Sequence, residues 1–304
     1  MDDKQRSVLA EIIPGGTAFD SPMDRMTSCR VGGKAEALCY PGELPVLRRL
    51  LRYLYEEGIP WVVIGKGSNL LVGDKGIKGA VIILKDRLAS VEQEETEDTG
   101  LIGGGGLSVA DLLSYCRKNG LSGLEFMAGI PGTLGGAIFM NAGAWGQDMG
   151  GVVREVRTVR SDGEQAVLKG GDINFSYRSS SIPADTVIYE ARIRLKRGDR
   201  DRIAEMINLN LKRKKETQPL DHPSAGSVFK NPPGDYAGRL IEKAGLKGAR
   251  IGGAMISLKH GNFIVNMGGA RASDILALME LAGARVKEET GITLETEIKI
   301  LGEF

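Results

Sequence analysis

The sequence predicts an α+β fold in two parts, residues 1–195 and 196–304. Three observations predict it. Helical and strand patterns mix without a regular βαβ rhythm, which argues against a doubly wound parallel sheet. Composition shifts near residue 196, where a basic helix of about 200–215 begins and runs to Lys212-Arg-Lys-Lys215. The length of 304 residues and an apolar share of 42% suit two domains with real cores.

The elements follow in order. Leu44, Leu47, Leu50, Leu51 and Leu54 have helical spacing, and Gly58 closes that helix as a C-terminal cap. Trp61–Ile64 reads as a buried strand running into the loop Gly65-Lys66-Gly67-Ser68-Asn69, and 81–84 reads as another strand. The acidic run 92–98 reads as a solvated turn. Ser108 with Asp111 resembles a capping box for a helix over 109–118, ended by Asn119-Gly120. Residues 152–160 and 166–168 form a hairpin about Ser161-Asp162-Gly163, and 186–195 is a long strand. After the basic helix, broken by Gln218-Pro219 and His222-Pro223, come helices near 236–244 and 273–289. A strand over 293–301 ends the chain.

Composition narrows the function. A net charge of +1 gives no electrostatic reason for nucleic acid or an acidic membrane as partner. No window approaches the roughly 18 apolar residues of a membrane span. The charged start, Met1-Asp2-Asp3-Lys4, lacks a secretory apolar stretch. Three cysteines without a CxxC pair fit a reduced, cytoplasmic protein. With only His222 and His260 present, a histidine-rich metal site is excluded. Acid–base chemistry falls to other side chains.

Glycine is the outlier: 43 in 304 residues, against a usual share of roughly 7%. The densest cluster is 129–146, which holds Gly129, Ile130, Pro131, Gly132, Gly135, Gly136, Asn141 and Gly143 and little charge. Bare backbone of this kind suits a large ligand lying on main-chain N–H groups, such as a nucleotide with a diphosphate. It suits close packing between subdomains equally well. Gly65, Lys66, Gly67, Ser68, Asn69 and Leu70 follow a strand, and their N–H groups form a candidate anion nest. This is neither a Walker loop nor a Rossmann fingerprint. A plain strand-to-turn connection is its alternative.

Further along, Tyr177-Arg178-Ser179-Ser180 offers Arg178 as a permanent cation, or as a surface arginine. Gly226-Ser227-Val228-Phe229-Lys230-Asn231 gathers polar groups beside one aromatic, the make-up of a ligand-orienting loop or of a surface turn. Alternation over 294–300 puts Glu295, Glu297 and Lys299 on one strand face, solvated or tuned for proton handling.

These segments resemble the UDP-N-acetylenolpyruvoylglucosamine reductase family, flavoenzymes of cell-wall precursor synthesis. The matching pieces are Thr27–Gly33, Gly65–Val72, Gly129–Gly136, Met140–Ala144, Tyr177–Ser180, Gly226–Pro232, Lys259–Asn266 and Leu294–Glu297. Eight motifs in family order span nearly the whole chain. Trp145 stands where the family usually has Tyr, and Gly261 where it usually has Ala. The chain lacks the extra substrate-covering segment of the longer branch and resembles the shorter, second type.

The resemblance implies an FAD-binding region of the vanillyl-alcohol-oxidase type over 1–195, built from subdomains of about 1–85 and 86–195. It implies a substrate domain over 196–304. Residues 65–70 and 129–143 would hold FAD, with its diphosphate on main-chain N–H groups. The first half contains no histidine, so FAD is expected to be non-covalent. Hydride would pass from NADPH through the flavin to the enolpyruvyl methylene carbon of UDP-N-acetylglucosamine enolpyruvate. A proton would then quench the adjacent carbon, giving UDP-N-acetylmuramate. By the same resemblance Arg178 stabilises the carboxylate, Glu297 assists, Ser227 donates the proton, and Lys230 and Asn231 contact substrate. A different flavin oxidoreductase on the same fold is the alternative, and a nucleic-acid module using 212–215 is disfavoured by the charge balance.

Overall fold

The computed structural model describes all 304 residues. Seven α-helices and several small sheets give an α+β chain. It divides into two compact units that are discontinuous in sequence. The first holds 1–19, 37–65 and 79–212, and the second holds 20–36, 66–78 and 213–304. The boundary expected near 195 therefore lies inside the first unit. Residues past 195 stay with it because Lys196–Arg197 pairs with Leu121–Ser122 and Asn210 Nδ2 donates to the Glu125 carbonyl, while the parallel alignment of Leu70–Val72 with Lys299–Leu301 draws an early segment into the C-terminal unit.

In the first unit, α1 (Asp3–Ile12) and α2 (Leu44–Glu56) cover Trp61–Val63 and the later parts, from Ala37 and Gly79, of the strands Lys34–Cys39 and Ile77–Ile82. The buried positions of α2 are Leu47, Leu50, Leu51 and Leu54, four of the five that gave its periodicity. A strand expected over 81–84 lies at Ile77–Ile82, earlier because Val81 and Ile82 pair with Val62 and Val63 in parallel register. Beside it stands a five-stranded sheet in the order Gln165–Lys169, Val153–Arg160, Thr186–Arg194, Gly100–Gly104, Val91–Gln93. Against this sheet pack α3 (Val109–Asn119), capped by Ser108 and closed by left-handed Gly120, and the short α4 (Leu134–Phe139).

The acidic run 92–98 is a solvated turn only in part, at the exposed Glu95-Thr96. Val91–Gln93 is an edge strand, and the carboxylates that follow meet arginines of the sheet. Glu94, 9% exposed, accepts from Arg192 at 2.8 Å and lies 3.8 Å from Arg154. Glu97 pairs with Arg154 and Arg194, and Asp98 with Arg197. The sequence pattern shows the acids but not the arginines that oppose them across strands.

Helix α5 (Arg200–Thr217) carries the chain from the first unit to the second. There α6 (Ala237–Lys243) and α7 (Ala272–Thr290) pack on a four-stranded antiparallel sheet ordered Ser224–Ser227, Phe263–Asn266, Ala254–Ile256, Arg250–Ile251. Gly291 ends α7 in the left-handed region, as its position implies. The expected strand over 293–301 is only Lys299–Leu301. Residues 291–298 have other hydrogen-bond partners, described below. All three cysteines are free and buried, and burial pushes the Cys39 and Cys116 thiols up to about 12.

Candidate active site

In the first unit the glycine cluster wraps the start of α4. Gly129 and Gly132 take left-handed or mirror conformations with φ of 70° and 158°. Thr133 caps α4, its Oγ1 accepting from the Gly136 N–H at 3.4 Å. The N–H of Ile130 donates to Met127 and that of Gly135 to Gly105, each at 2.9 Å. Three N–H groups in the stretch expected to hold the FAD diphosphate are thus already committed inside the protein. Close packing explains Gly135, where a Cβ would sit 3.0 Å from the Gly105 carbonyl oxygen. It also explains Gly65, where a Cβ would meet Thr133 Oγ1 at 2.5 Å. Gly136 differs. It is exposed, and only Thr133 Oγ1, at 3.4 Å, borders the space its Cβ would fill. This open backbone, with exposed Gly129 and Pro131 beside it, fits a broad ligand lying on the main chain. Gly143 pairs with Asp148 in a hairpin whose turn, Trp145-Gly146, has both residues at positive φ (58° and 79°).

Arg178 sits in a second tight hairpin. Phe175–Ser176 pairs with Ser179–Ser180, leaving Tyr177-Arg178 as the turn. Arg178 is left-handed, with φ of 57°, and its guanidinium carbon lies 5.0 Å from the Tyr177 ring centroid. Two bonds tie this hairpin to the end of α4. Ser180 Oγ donates to the Phe139 carbonyl at 2.8 Å, and Asn141 Nδ2 donates to the Ser176 carbonyl at 2.9 Å. Asn141 is 2% exposed, and its Oδ1 accepts from the Gly150 N–H at 2.9 Å. An expected cofactor ligand thus turns its amide inward, to the hairpin that carries Arg178.

In the second unit Gly67 is left-handed, with φ of 63°, and backs directly onto the Met26 carbonyl, so no Cβ fits. Its own carbonyl accepts from the Ser28 N–H at 3.0 Å. This close approach explains why Thr27–Gly33 and Gly65–Val72 occur together. Lys66 is exposed and Ser68 half-buried. Asn69, next to Leu70 at the strand start, accepts from the Lys299 N–H at 2.9 Å. Its Nδ2 donates to the Glu297 carbonyl at 3.1 Å. A residue read as a cofactor contact therefore holds the backbone of the candidate acid.

Ser227 ends the strand Ser224–Ser227, after left-handed Gly226. The Glu297 N–H donates to the Val228 carbonyl at 2.8 Å, and the Lys230 N–H to the Glu295 carbonyl at 2.8 Å. These bonds, with a bridge between Phe229 and Thr296, bring the Ser227 loop and the Glu297 segment together. They also take the place of the regular strand expected there. Lys230 Nζ pairs with Glu295 at 2.6 Å, so Glu295 is engaged by Lys230 rather than shared with Lys299. Arg178 belongs to the first unit, and Ser227 and Glu297 to the second.

Ser227 and Asn231 border a cavity of about 340 Å³, also lined by Glu242, Arg239, Lys259, His260 and Asn262. Two cations, one carboxylate and several neutral donors suit a polar, hydroxyl-rich ligand. Sequence reasoning gave these last four no site role. For Lys259, His260 and Asn262 the signal available was Lys259–Asn266, a matched motif without an assigned task, and Arg239 had none. Burial, then nearby Lys247, pulls the His260 pKa down. Its Nδ1 accepts from the Asn262 N–H at 3.2 Å, as a neutral ring must. Gly261 lies against α6, where a Cβ would come 2.6 Å from the Gly238 carbonyl oxygen.

Comparison with known proteins identifies this arrangement. Residues 218–301 match the model for the C-terminal domain of UDP-N-acetylenolpyruvoylglucosamine reductase, and residues 35–169 match an FAD binding domain. The UDP-N-acetylenolpyruvoylglucosamine reductase of Bacillus pumilus is 42% identical over 98% of this chain and 98% of its own. The chain belongs to the UDP-N-acetylenolpyruvoylglucosamine reductase family.

The crystal structure of the reductase from Thermus caldophilus superposes with a TM-score of 0.80 at 37% identity, covering 94% of this chain and 98% of that one. An alkyldihydroxyacetonephosphate synthase structure reaches a TM-score of 0.50 at 16% identity over 65% of this chain and 41% of its own, a likeness of fold alone. The fold is the α+β FAD-binding type with a reductase C-terminal domain. The protein is an FAD-dependent oxidoreductase, a UDP-N-acetylmuramate dehydrogenase that uses NADPH. It serves peptidoglycan precursor synthesis. No helix is long and apolar enough to cross a membrane.

Proposed function

We propose that Arg178, Ser227 and Glu297 carry the chemistry on UDP-N-acetylglucosamine enolpyruvate, in the cytoplasm. Residues 1–195 chiefly seat FAD, and 196–304 chiefly seat substrate. Bound FAD would supply the hydride-transfer chemistry between NADPH and the enolpyruvyl methylene carbon. The chain's own groups do the rest. Negative charge develops on the enolpyruvyl carboxylate, and the fixed planar cation of Arg178 stabilises it. Glu297 assists as a hydrogen-bonding acid. Ser227 delivers a proton to the neighbouring carbon. A serine hydroxyl is a weak acid, but an enolate carbon is a strong enough base to take its proton when the two are held in line. Asn231 and Lys230 orient the nucleotide. The backbone at 65–70 and 129–143 carries FAD, with the open face of Gly136 as the best-fitting part.

The observation that carries this reading is Ser227 bordering a polar cavity whose lining includes Arg239 and Lys259, cations able to meet a nucleotide diphosphate, beside Glu242. The deciding experiment is NADPH oxidation by the purified protein with and without the enolpyruvyl nucleotide. Turnover dependent on the nucleotide is expected, and equal turnover with oxygen alone would point to a different flavin oxidoreductase.

A further inference from the structure

We propose that Asn262 is a positioning residue for proton delivery, fixing the backbone on which Ser227 sits; this rests on the assignment of Ser227 above. The strand Ser224–Ser227 pairs with Phe263–Asn266 at Ser224↔Val265 and Ser227↔Phe263, with an irregularity between them. Beyond Ser227 the ladder ends, yet Val228 and Phe229 are buried. Their peptide groups need partners, because a buried unpaired N–H or C=O is costly.

Asn262 supplies these partners. The Val228 N–H donates to the Asn262 main-chain carbonyl at 2.9 Å. The Phe229 N–H donates to Asn262 Oδ1 at 2.9 Å, and Asn262 Nδ2 donates to the Phe229 carbonyl at 2.7 Å. A carboxamide has the donor and acceptor of a peptide group, so this side chain extends the ladder by one rung. Asn262 is itself held, 4% exposed, by the bond from its N–H to His260 Nδ1. On its other edge the same loop accepts the Glu297 N–H at the Val228 carbonyl and donates the Lys230 N–H to the Glu295 carbonyl. Asn262 therefore sets the register of the segment linking Ser227 to Glu297. Proton delivery by an acid as weak as serine depends on that alignment.

The test uses the FAD-loaded protein and follows the two half-reactions by stopped flow. In Asn262→Ala, flavin reduction by NADPH stays within about twofold of the parent. Flavin reoxidation by the enolpyruvyl nucleotide falls about 10²-fold, the usual penalty for a misplacement near 1 Å. Asn262→Asp keeps the acceptor for the Phe229 N–H but regains the donor only when protonated. Its reoxidation therefore climbs toward the parent rate as pH is lowered, a response that simple loss of stability does not give. Hydrogen exchange reads the contact without substrate: the Phe229 amide, protected in the parent, exchanges roughly tenfold faster or more in Asn262→Ala. Reoxidation within twofold of the parent in Asn262→Ala, or equal losses in both half-reactions, overturns the proposal. If Asn262→Ala does not fold, a flat pH response in Asn262→Asp overturns it. If the parent flavin is not reoxidised by the nucleotide, the assignment of Ser227 fails, and an unprotected parent Phe229 amide then overturns the contact as well.

Discussion

Asn141 donates its side-chain amide to the Ser176 carbonyl at 2.9 Å, and so holds the first strand of the hairpin that presents Arg178. Both polar ends of the Asn141 side chain are used, the other by the Gly150 N–H. Asn141→Ala is expected to leave Ser176 and Gly150 short of a partner and to cost about 1–3 kcal/mol in a denaturant titration. Arg178 would lose its fixed direction. Reoxidation of flavin by the nucleotide should fall by roughly 10²-fold, with flavin content retained. Loss of flavin with unchanged reoxidation in the loaded fraction would return Asn141 to the cofactor-contact role.

Ser227→Ala should keep the NADPH half-reaction and slow reoxidation by about 10²–10⁴-fold, the range for a general acid. The variant has little reason to unfold, since Ser227 ends its strand and the next residues are held through Asn262. Stopped-flow absorbance of the flavin separates the two steps. A loss confined to the NADPH step would remove Ser227 from proton delivery.

FAD should be released by acid precipitation. Both histidines, His222 and His260, lie after residue 212, outside the first unit. Yellow supernatant and colourless pellet are the expected result, and flavin absorbance remaining with the pellet would establish a covalent link.

Stability should respond to His260 in a defined pH window. Burial holds its folded pKa below the ordinary 6.5, so folding favours the neutral ring. The contribution is present above about 6.5 and is lost as pH falls through the lower folded value. Denaturant midpoints at pH 7 and pH 5 should therefore differ less in His260→Gln than in the parent. An equal or larger drop in the variant would show that another group governs the acid limb.

Glu94 offers a test remote from the site. It is nearly buried between Arg192 and Arg154, whose side chains are 30% and 41% exposed. Glu94→Ala would remove one carboxylate from each arginine while leaving Glu97 beside Arg154 and Glu155 at 3.5 Å from Arg192, and about 1–2 kcal/mol of destabilisation is expected. Urea unfolding measures it. A change under about 0.5 kcal/mol would mean that the run 92–98 behaves as an ordinary solvated surface.

The site and fold were legible in the sequence to different depths. Local signals determined much of the fold: the leucine spacing of α2, the Ser108 cap, Gly120 and Gly291 as helix stops, and the hairpin about residues 161–163. Each depends on side-chain period or backbone conformation within a few residues. The order of the glycine and polar motifs was likewise enough to suggest the family that comparison then identified.

Only the tertiary structure decided which partners those motif side chains meet. Asn141 and Asn69 sit among glycines and so look like cofactor contacts. Their amides go instead to the Ser176 and Glu297 carbonyls, 35 and 228 residues away. The acidic run 92–98 lacked visible partners because its arginines lie across strands. Glu295 looked paired with Glu297 and Lys299 on a strand, yet it meets Lys230, because the loop after Ser227 takes the hydrogen bonds that a strand would have used. Period and propensity act over a few residues, whereas a buried amide bonds whatever unpaired peptide group the fold brings to it.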